Sequence, residues 1–275
     1  MSLIRLDKFL ADTGQGTRSE VKQKLKQGRV KVNEEIVKKP ETKINPDMDK
    51  ISIDGKSLHF EQFQYYMLHK PAGVVSATKD ERDKTVIQLI AEDKRRDLFP
   101  VGRLDKDTEG LLVITNDGVL ANNLLAPGKH VEKTYYADIE GLVTDDTVVS
   151  FMEGLDIGDE APTLPAKLVI LETDSRKNDG GKNDGGKNAV EQVGVNNGEC
   201  KASENTPESK VEITITEGRY HQVKRMFRAV GMRVKYLKRI SMGELKLDSE
   251  LGLGEYRRLT EEEIALLKGM NTKSQ

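Results

Sequence analysis

A charged loop that runs directly into an apolar segment constrains this chain more than any other feature. Residues 100–110 carry five charged side chains, and the sequence Leu-Leu-Val-Ile-Thr follows at 111–115. A short apolar run beside a turn predicts a buried strand with the loop at its entrance. Arg103 stands two residues before Asp105 and places a cation near a carboxylate. The loop is therefore the first candidate for chemistry.

The length and composition are typical of a globular protein with two domains. The chain has 275 residues, of which 36% are hydrophobic and 33% are charged. No apolar run approaches the ~18 residues of a membrane-spanning helix. Arg5 stands too near the start for a signal peptide, so we expect a cytoplasmic protein. Cys200 is the single cysteine, which excludes an internal disulfide and a cysteine zinc site.

Positive charge is concentrated in two parts of a nearly neutral chain. The net charge is -2, but residues 1–43 carry eleven Lys or Arg against six Asp or Glu. Residues 210–240 carry nine against two. This distribution is typical of a protein that binds a phosphate backbone, although two solvated helix faces would explain the charge alone equally well.

Two short helices and a strand are predicted within residues 3–33. Apolar residues at helical spacing indicate the first helix at 3–13. Thr17 and Glu20 form a capping box at the start of the second, which ends at Gly28. The cations on the outer face of that helix and on the following strand are Arg18, Lys22, Lys26, Arg29 and Lys31. They predict one phosphate-facing surface.

Three pieces of this segment resemble the S4 domain, a small helical RNA-binding fold of ribosomal proteins and rRNA-modifying enzymes. They are RLDKFL at 5–10, TRSE at 17–20 and GRVKVNE at 28–34. The likeness spans about residues 3–50, and we place the domain at 1–60. The resemblance implies that this domain binds RNA. Its candidate RNA-binding residues are Arg5, Lys8, Arg18, Lys22, Lys26, Arg29 and Lys31.

Residues 61–275 mix predicted strands and helices, which indicates an α+β domain. Strands are predicted at 65–68, 111–115, 133–139 and 211–216, and short helices at 86–90, capped by Thr85, and at 119–125. Alternation in 133–139 predicts that Tyr135 faces one side of its strand and Tyr136 the other. Residues 174–209 are polar and repeat Lys-Asn-Asp-Gly-Gly, so we expect a disordered or loosely ordered insertion.

An amphipathic helix is predicted at residues 221–230. Its apolar stripe consists of Val223, Met226, Phe227 and Val230. Its basic face consists of His221, Lys224, Arg225 and Arg228. Spacing alone favours a core helix with a solvated basic face. The preceding Glu-Gly-Arg-Tyr turn at 217–220 is flexible enough to direct the first helical turn at a phosphate.

Several kinds of catalytic site are excluded because their motifs are absent. The sequence has neither a phosphate-binding GxxxxGK[ST] loop nor a GxSxG serine elbow, and its four histidines are scattered. Asp105 and Asp107 are too close in sequence to form a glycosidase pair. What remains is a lone carboxylate, either a covalent nucleophile or a loop-capping acid paired with Arg103.

Three ordered motifs resemble the RsuA-type branch of the pseudouridine synthases. They are GRLDKDTEG at 102–110, KTY at 133–135 and EGRYHQVKRMF at 217–227. The likeness runs from about residue 65 to 260, interrupted by the insertion. It implies an isomerase that needs no cofactor, on a mixed, mainly antiparallel sheet with flanking helices. Two other classes stay open: a non-catalytic RNA-binding or ribosome-assembly factor in which Asp105 is structural, and an RNA hydrolase that uses the same carboxylate.

The resemblance implies a role for each matching residue. Asp105 matches the aspartate that cleaves the C1′–N1 bond of uridine, by attack at C1′ or C6 or by removal of a sugar proton. Tyr135 matches the tyrosine that stacks on the base, and Lys224 the cation that pairs with the aspartate. Arg103 is the candidate that fills the gap left by the flipped base, and Leu237 either packs beside the uracil or belongs to the core. The further candidate substrate-binding residues are His221, Gln222 and Arg225.

The S4-like module together with RYHQVKRM at 219–226 resembles the enzymes of this family that modify small-subunit rRNA. We expect uridine 516 of 16S rRNA as the target, with 23S rRNA of the large subunit as the alternative. The expected partner is rRNA or a pre-ribosomal particle, with no membrane association, and the protein is expected to be a monomer.

Overall fold

The computed structural model describes residues 3–46, 48–58, 61–90, 95, 97–174 and 207–269. Most of the predicted insertion at 174–209 lies outside these residues. The chain divides into two compact units, the first made of Met1–Val131 with Arg239–Gln275 and the second of Glu132–Lys238. The predicted domain division after residue 60 stays a prediction.

The N-terminal part of the first unit combines two helices with short strands. Its elements are β1 (Ile4–Arg5), α1 (Leu6–Asp12), α2 (Arg18–Lys26), β2 (Val30–Val32), β3 (Glu35–Ile36), β4 (Lys43–Ile44), β5 (Ile51–Ile53) and β6 (Lys56–Ser57). The strands form a four-stranded sheet in the order β3-β2-β5-β6 and a separate β1-β4 pair. The two predicted helices are confirmed. Leu6, Phe9, Leu10, Val21 and Leu25 form their shared core.

The predicted capping box of α2 is confirmed. The Glu20 backbone N–H donates to the Thr17 hydroxyl at 3.3 Å, and the Thr17 N–H donates to the Glu20 carboxylate at 2.6 Å. Gly28 follows the helix with a φ of 72°, a left-handed conformation that glycine adopts without strain. The cations of α2 therefore stand on a helix with both ends fixed by the sequence.

The remaining elements are strands, with helices between some of them. They are β7 (Tyr65–Lys70), a 3-10 helix (Val86–Leu89), β8 (Phe99–Pro100), β9 (Glu109–Thr115), α3 (Gly118–Leu125), a 3-10 helix (Pro127–Lys129), β10 (Lys133–Glu140), α4 (Asp145–Glu153), β11 (Lys167–Asp174), β12 (Glu208–Ile215), α5 (Gln222–Ala229), β13 (Arg233–Met242), β14 (Leu245–Lys246), β15 (Tyr256–Arg258) and α6 (Glu261–Gly269). No helix among the described residues is long and apolar enough to cross a membrane.

In the first unit, β7 lies between β9 and β15 in an antiparallel arrangement. All six residues of β7 are buried, and pairing with β9 continues to Lys70 opposite Gly110. The sequence prediction ended this strand at Leu68, and it was wrong because pairing with a partner strand, rather than apolar character, sets the end. The helix predicted at 86–90 is a 3-10 helix.

In the second unit, the strand order is β11-β12-β10-β13. Only the part of β13 up to Lys238 belongs to this unit. The predicted alternation of β10 is confirmed, since Tyr135, Ala137 and Ile139 are buried and Tyr136 is half-buried. The predicted apolar stripe of α5 is confirmed at its three buried positions, Val223, Met226 and Phe227.

His221 corrects the prediction for the basic face of α5. It precedes the helix and has a φ of 48°, so it is not on the helical face that the spacing indicated. The helix begins at Gln222, one residue later than predicted. The reason is the left-handed conformation of His221, which a helix cannot contain.

Candidate active site

A buried lysine supports the loop that carries Asp105. Lys70 is fully buried, and its Nζ donates to the carbonyl oxygens of Asp105 at 3.0 Å, Thr108 at 2.8 Å and Pro71 at 3.0 Å. The carbonyl oxygen of Lys106 lies 3.3 Å away. A buried ammonium needs hydrogen-bond acceptors, and a bent loop needs donors for its inward carbonyls. The Lys70 ammonium and the loop carbonyls therefore satisfy each other's hydrogen-bonding needs.

The sequence analysis did not identify Lys70 as a functional residue. A usable signal was present, because Lys70 closes an apolar strand directly before Pro71, and a strand buried on both faces rarely includes a lysine without a partner.

Further main-chain contacts fix the loop on both sides of Asp105. The Leu104 N–H donates to the Ser76 hydroxyl oxygen at 3.0 Å, and that hydroxyl donates to the Leu104 carbonyl at 2.9 Å. The Gly73 N–H donates to the carbonyl oxygen of Lys106 at 2.7 Å. The half-buried Asp105 side chain thus extends from a backbone that is held at the residues before and after it.

Arg103 is exposed, and within the described part of the chain it forms no ion pair with Asp105 or Asp107. The salt bridge that would have explained its presence in the loop is therefore not formed. Lys106 pairs instead with Asp83, at 2.6 Å between Nζ and the carboxylate. The guanidinium of Arg103 remains available to a ligand.

Gly110 allows β9 to begin directly after the loop. A Cβ at this position would lie 2.2 Å from the carbonyl oxygen of Arg239, and the φ of Gly110 is 107°. The buried Arg239 side chain donates from Nε to the carbonyl oxygen of Leu111 at 2.8 Å. Close backbone approach and a positive φ both require glycine here.

Tyr135 lies on β10 in the second unit with 8% of its surface exposed, opposite Ile213 of β12. The neighbouring Tyr136 points to the other face and donates from its hydroxyl to Asp138 at 2.6 Å. Burial and this carboxylate raise the pKa of Tyr136 to about 12. Tyr135 presents its ring on the largely apolar face of the strand.

The turn before α5 is held rigidly, contrary to the flexible turn predicted from its glycine. Gln222 is 3% exposed, and its amide accepts from the Arg219 N–H at 2.9 Å and donates to Glu217 at 2.8 Å. With both ends of its amide engaged, Gln222 positions the turn. Its assignment as a substrate-binding residue stays a prediction.

Arg225 is also engaged within the protein. Its guanidinium donates to both carboxylate oxygens of Asp159 at 2.6 and 3.0 Å and to the carbonyl oxygens of Ile157 and Tyr220. These hydrogen bonds hold the pKa of Asp159 below its usual value and raise that of Arg225. Arg225 therefore ties α5 to the loop at 155–163, and its assignment to substrate contact stays a prediction.

The other predicted site residues divide between the two units. Asp105 and Arg103 belong to the first unit, and Tyr135, His221, Lys224 and Leu237 to the second. His221 and Lys224 are half-buried, and Leu237 is 5% exposed.

Most predicted RNA-binding cations of the N-terminal part are exposed and outside ion pairs. Arg5 pairs with Asp7 at 2.8 Å, and Arg29 pairs with Asp54 through two hydrogen bonds of 2.7 and 2.6 Å. In each pair the arginine lowers the pKa of the aspartate. The cations for which the described residues provide no ion pair are Lys8, Arg18, Lys22, Lys26 and Lys31. These five contribute accessible positive charge to the N-terminal part.

Comparison with known families identifies both parts of the chain. The family described as RNA pseudouridylate synthase matches residues 64–229, and the S4 domain matches residues 4–51. The chain belongs to the RNA pseudouridine synthase family. It is therefore an isomerase, and the predicted RsuA-type resemblance and the α+β architecture with an S4 domain are confirmed.

Relatives of this synthase match it over nearly its whole length. An "Uncharacterized RNA pseudouridine synthase YtzG" of Bacillus subtilis is 42% identical, covering 96% of this chain and 98% of the relative. The "Ribosomal small subunit pseudouridine synthase A" of Escherichia coli is 37% identical, covering 95% and 99%. A crystal structure of a pseudouridylate synthase superposes with a TM-score of 0.58 at 36% identity, covering 96% and 99%.

The described residues contain no group of three or more His, Cys, Asp or Glu side chains that could hold a metal ion.

Proposed function

We propose that this synthase isomerises one uridine of 16S rRNA, uridine 516, to pseudouridine. The observation that carries the proposal is the 37% identity, over 95% of the chain, to enzymes named as ribosomal small subunit pseudouridine synthase A. The S4 domain, with its five exposed cations outside ion pairs, supports an RNA substrate. We expect a monomer that acts on 16S rRNA or on a small-subunit precursor particle.

Asp105 is the proposed catalytic carboxylate. In the reaction the C1′–N1 bond of the uridine breaks, the base turns, and C5 bonds to C1′. The proton on C5 is then lost and N1 gains one, so atoms and charges balance without a cofactor. Support comes from Lys70, which fixes the backbone of Asp105 and so orients its carboxylate before substrate arrives.

We assign the remaining roles in substrate binding from the burial and exposure of each residue. Tyr135 is the proposed stacking partner of the target base, and its burial on a strand gives a firm platform. Lys224, half-buried on α5, is the proposed counter-charge of Asp105. Arg103, exposed and outside any ion pair with the neighbouring aspartates, is the proposed group that enters the space left by the flipped base. Leu237 is the proposed apolar neighbour of the uracil.

The decisive experiment maps pseudouridine in rRNA after incubation with purified protein. Transcripts of 16S and 23S rRNA and small-subunit precursor particles are assayed separately, because the relative with 42% identity has no assigned target. Modification at uridine 516 alone supports the proposal. Modification confined to 23S rRNA would refute the target while retaining the enzyme class.

The catalytic assignment is tested by Asp105→Asn, with Asp107→Asn as the matched control in the same loop. We expect no product from Asp105→Asn, because the amide lacks the charge and the basicity of the carboxylate, and unchanged affinity for the transcript in a filter-binding assay. Asp107→Asn, at an exposed position, should retain activity. Appreciable product from Asp105→Asn would refute the assignment.

A further inference from the structure

Tyr220 is an aromatic side chain that the fold leaves in solvent. It is 77% exposed, which no large apolar side chain in the described ranges exceeds. One face of its ring stacks on the imidazole of His221, with centroids 3.9 Å apart and an interplanar angle of 17°. Since that contact covers one face only, the opposite face of the phenol ring is open. The core gains little from this ring.

The backbone around Tyr220 is nevertheless held firmly. Arg219 donates to the carbonyl oxygens of Ala161 at 2.6 Å and Pro162 at 2.8 Å. The carbonyl oxygen of Tyr220 itself accepts from Arg225 Nε at 2.8 Å. Two arginines thus fix the chain before and at the exposed ring.

His221 has an unusual backbone conformation next to the exposed Tyr220 ring. Its φ of 48° is in the left-handed region, which costs free energy for a residue other than glycine. This strain turns the chain sharply between Tyr220 and the first residue of α5. In this conformation the two rings are stacked, and the ring of Tyr220 faces solvent.

The charge around the stack selects the class of partner. Residues 219–228 contain four Lys or Arg and no Asp or Glu. Arg219 and Arg225 are partly neutralised by Glu217 and Asp159, whereas Arg228 is exposed without an ion pair to any described residue. An aromatic face beside net positive charge fits a nucleobase attached to a phosphate backbone. An apolar protein partner would gain nothing from the cations.

We propose that the Tyr220–His221 stack is a docking platform for one unpaired base of the substrate RNA, distinct from the target uridine. The inference rests on the proposed function for the identity of the RNA. Tyr135, with its low exposure, is reserved for the flipped base, and Tyr220 receives a neighbouring base before any flipping. Tyr220 is thus a positioning residue that sets affinity and the choice of RNA.

The test uses the fact that the chain contains no tryptophan. The Tyr220→Trp variant carries a single indole in the platform. Val149→Trp on α4, where the native side chain is 52% exposed, is a matched control in the same unit. We expect the 16S transcript to quench the indole fluorescence of Tyr220→Trp and to leave that of Val149→Trp unchanged. Equal quenching in both variants, or in neither, would overturn the platform.

Kinetics provide a second, independent measurement. Tyr220→Ala should raise KM and the Kd for the transcript about 5- to 150-fold, the contribution of one base stacked on an aromatic ring, and leave kcat unchanged. Tyr220→Phe should restore both values, because stacking requires the ring and not the hydroxyl. Wild-type Kd in the alanine variant, or a loss confined to kcat, would overturn the proposal.

The two proposals fail in different ways. If wild-type protein makes no pseudouridine while RNA quenches the fluorescence of Tyr220→Trp, the platform stands and the proposed function is lost. If product forms normally and the alanine variant binds as wild type does, the function stands and the platform is lost. Heparin is a polyanion without bases. If it quenches the fluorescence of Tyr220→Trp, the contact is only electrostatic and the platform is refuted.

Discussion

Replacement of Lys70 by methionine tests whether the buried ammonium holds the catalytic loop. Methionine has nearly the same length and keeps the side chain apolar, so the change removes the charge and the three N–H donors without creating a large cavity. The carbonyl oxygens of Asp105, Lys106 and Thr108 lose the ammonium as a donor. The Lys106 carbonyl keeps the Gly73 N–H, and the Asp105 carbonyl keeps the Thr108 N–H. The loop must then move to find water.

The size of the effect follows from those contacts. Three hydrogen bonds to a charged donor, at about 1.5–3 kcal/mol each, amount to about 5–9 kcal/mol. Methionine avoids the burial of an ion, which offsets several kcal/mol of this loss, and we expect the free energy of unfolding to fall by about 2–4 kcal/mol. A shift of the Asp105 carboxylate by about 1 Å would lower kcat by about 100-fold.

The assay combines urea unfolding with steady-state kinetics on the rRNA substrate. Lys106→Met is the matched control, since that lysine is exposed in the same loop and its surface ion pair with Asp83 contributes at most about 1 kcal/mol. We expect Lys70→Met to lose both stability and kcat while its Kd for RNA remains unchanged. Wild-type kcat in Lys70→Met, or an equal loss in the control, would refute the reasoning.

Two further perturbations follow from the structure. Gly110→Ala would bring a Cβ to 2.2 Å from the Arg239 carbonyl at a φ of 107°; we expect loss of activity and a lower Tm, and an active variant of wild-type Tm would contradict this. The pKa of Asp159 lies below 3.8 because of Arg225, so its contribution to stability is complete above pH 3.8 and is lost as the pH falls through the folded pKa. The Tm of Asp159→Asn should therefore depend less on pH in that acidic range, and an unchanged profile would exclude this pair as a contributor.

Local features of the fold could be predicted because their causes lie within a few residues. The capping box of Thr17 and Glu20 needs only a spacing of three, and the buried face of β10 needs only alternation. The α5 stripe follows from the helical repeat. Asp105 became a candidate through the composition of its own loop.

Other features depend on contacts between residues that are distant in sequence. Lys70 bonds to carbonyls 35 to 38 residues away, and Arg225 to a carboxylate 66 residues away. In the sequence, Lys70 is only a lysine at the end of a strand and Arg225 only a cation on a helix. Their hydrogen-bond acceptors are known only from the fold.

The loop that carries Asp105 is held through its own main-chain carbonyl and N–H groups. Lys70 binds carbonyl groups, which every amino acid possesses, and Gly73 does the same. Substitutions at the exposed positions 103, 106 and 107 therefore leave the backbone of Asp105 in place. A library randomised at positions 106 and 107 could therefore vary the outward surface of this loop while the backbone of Asp105 stays in place.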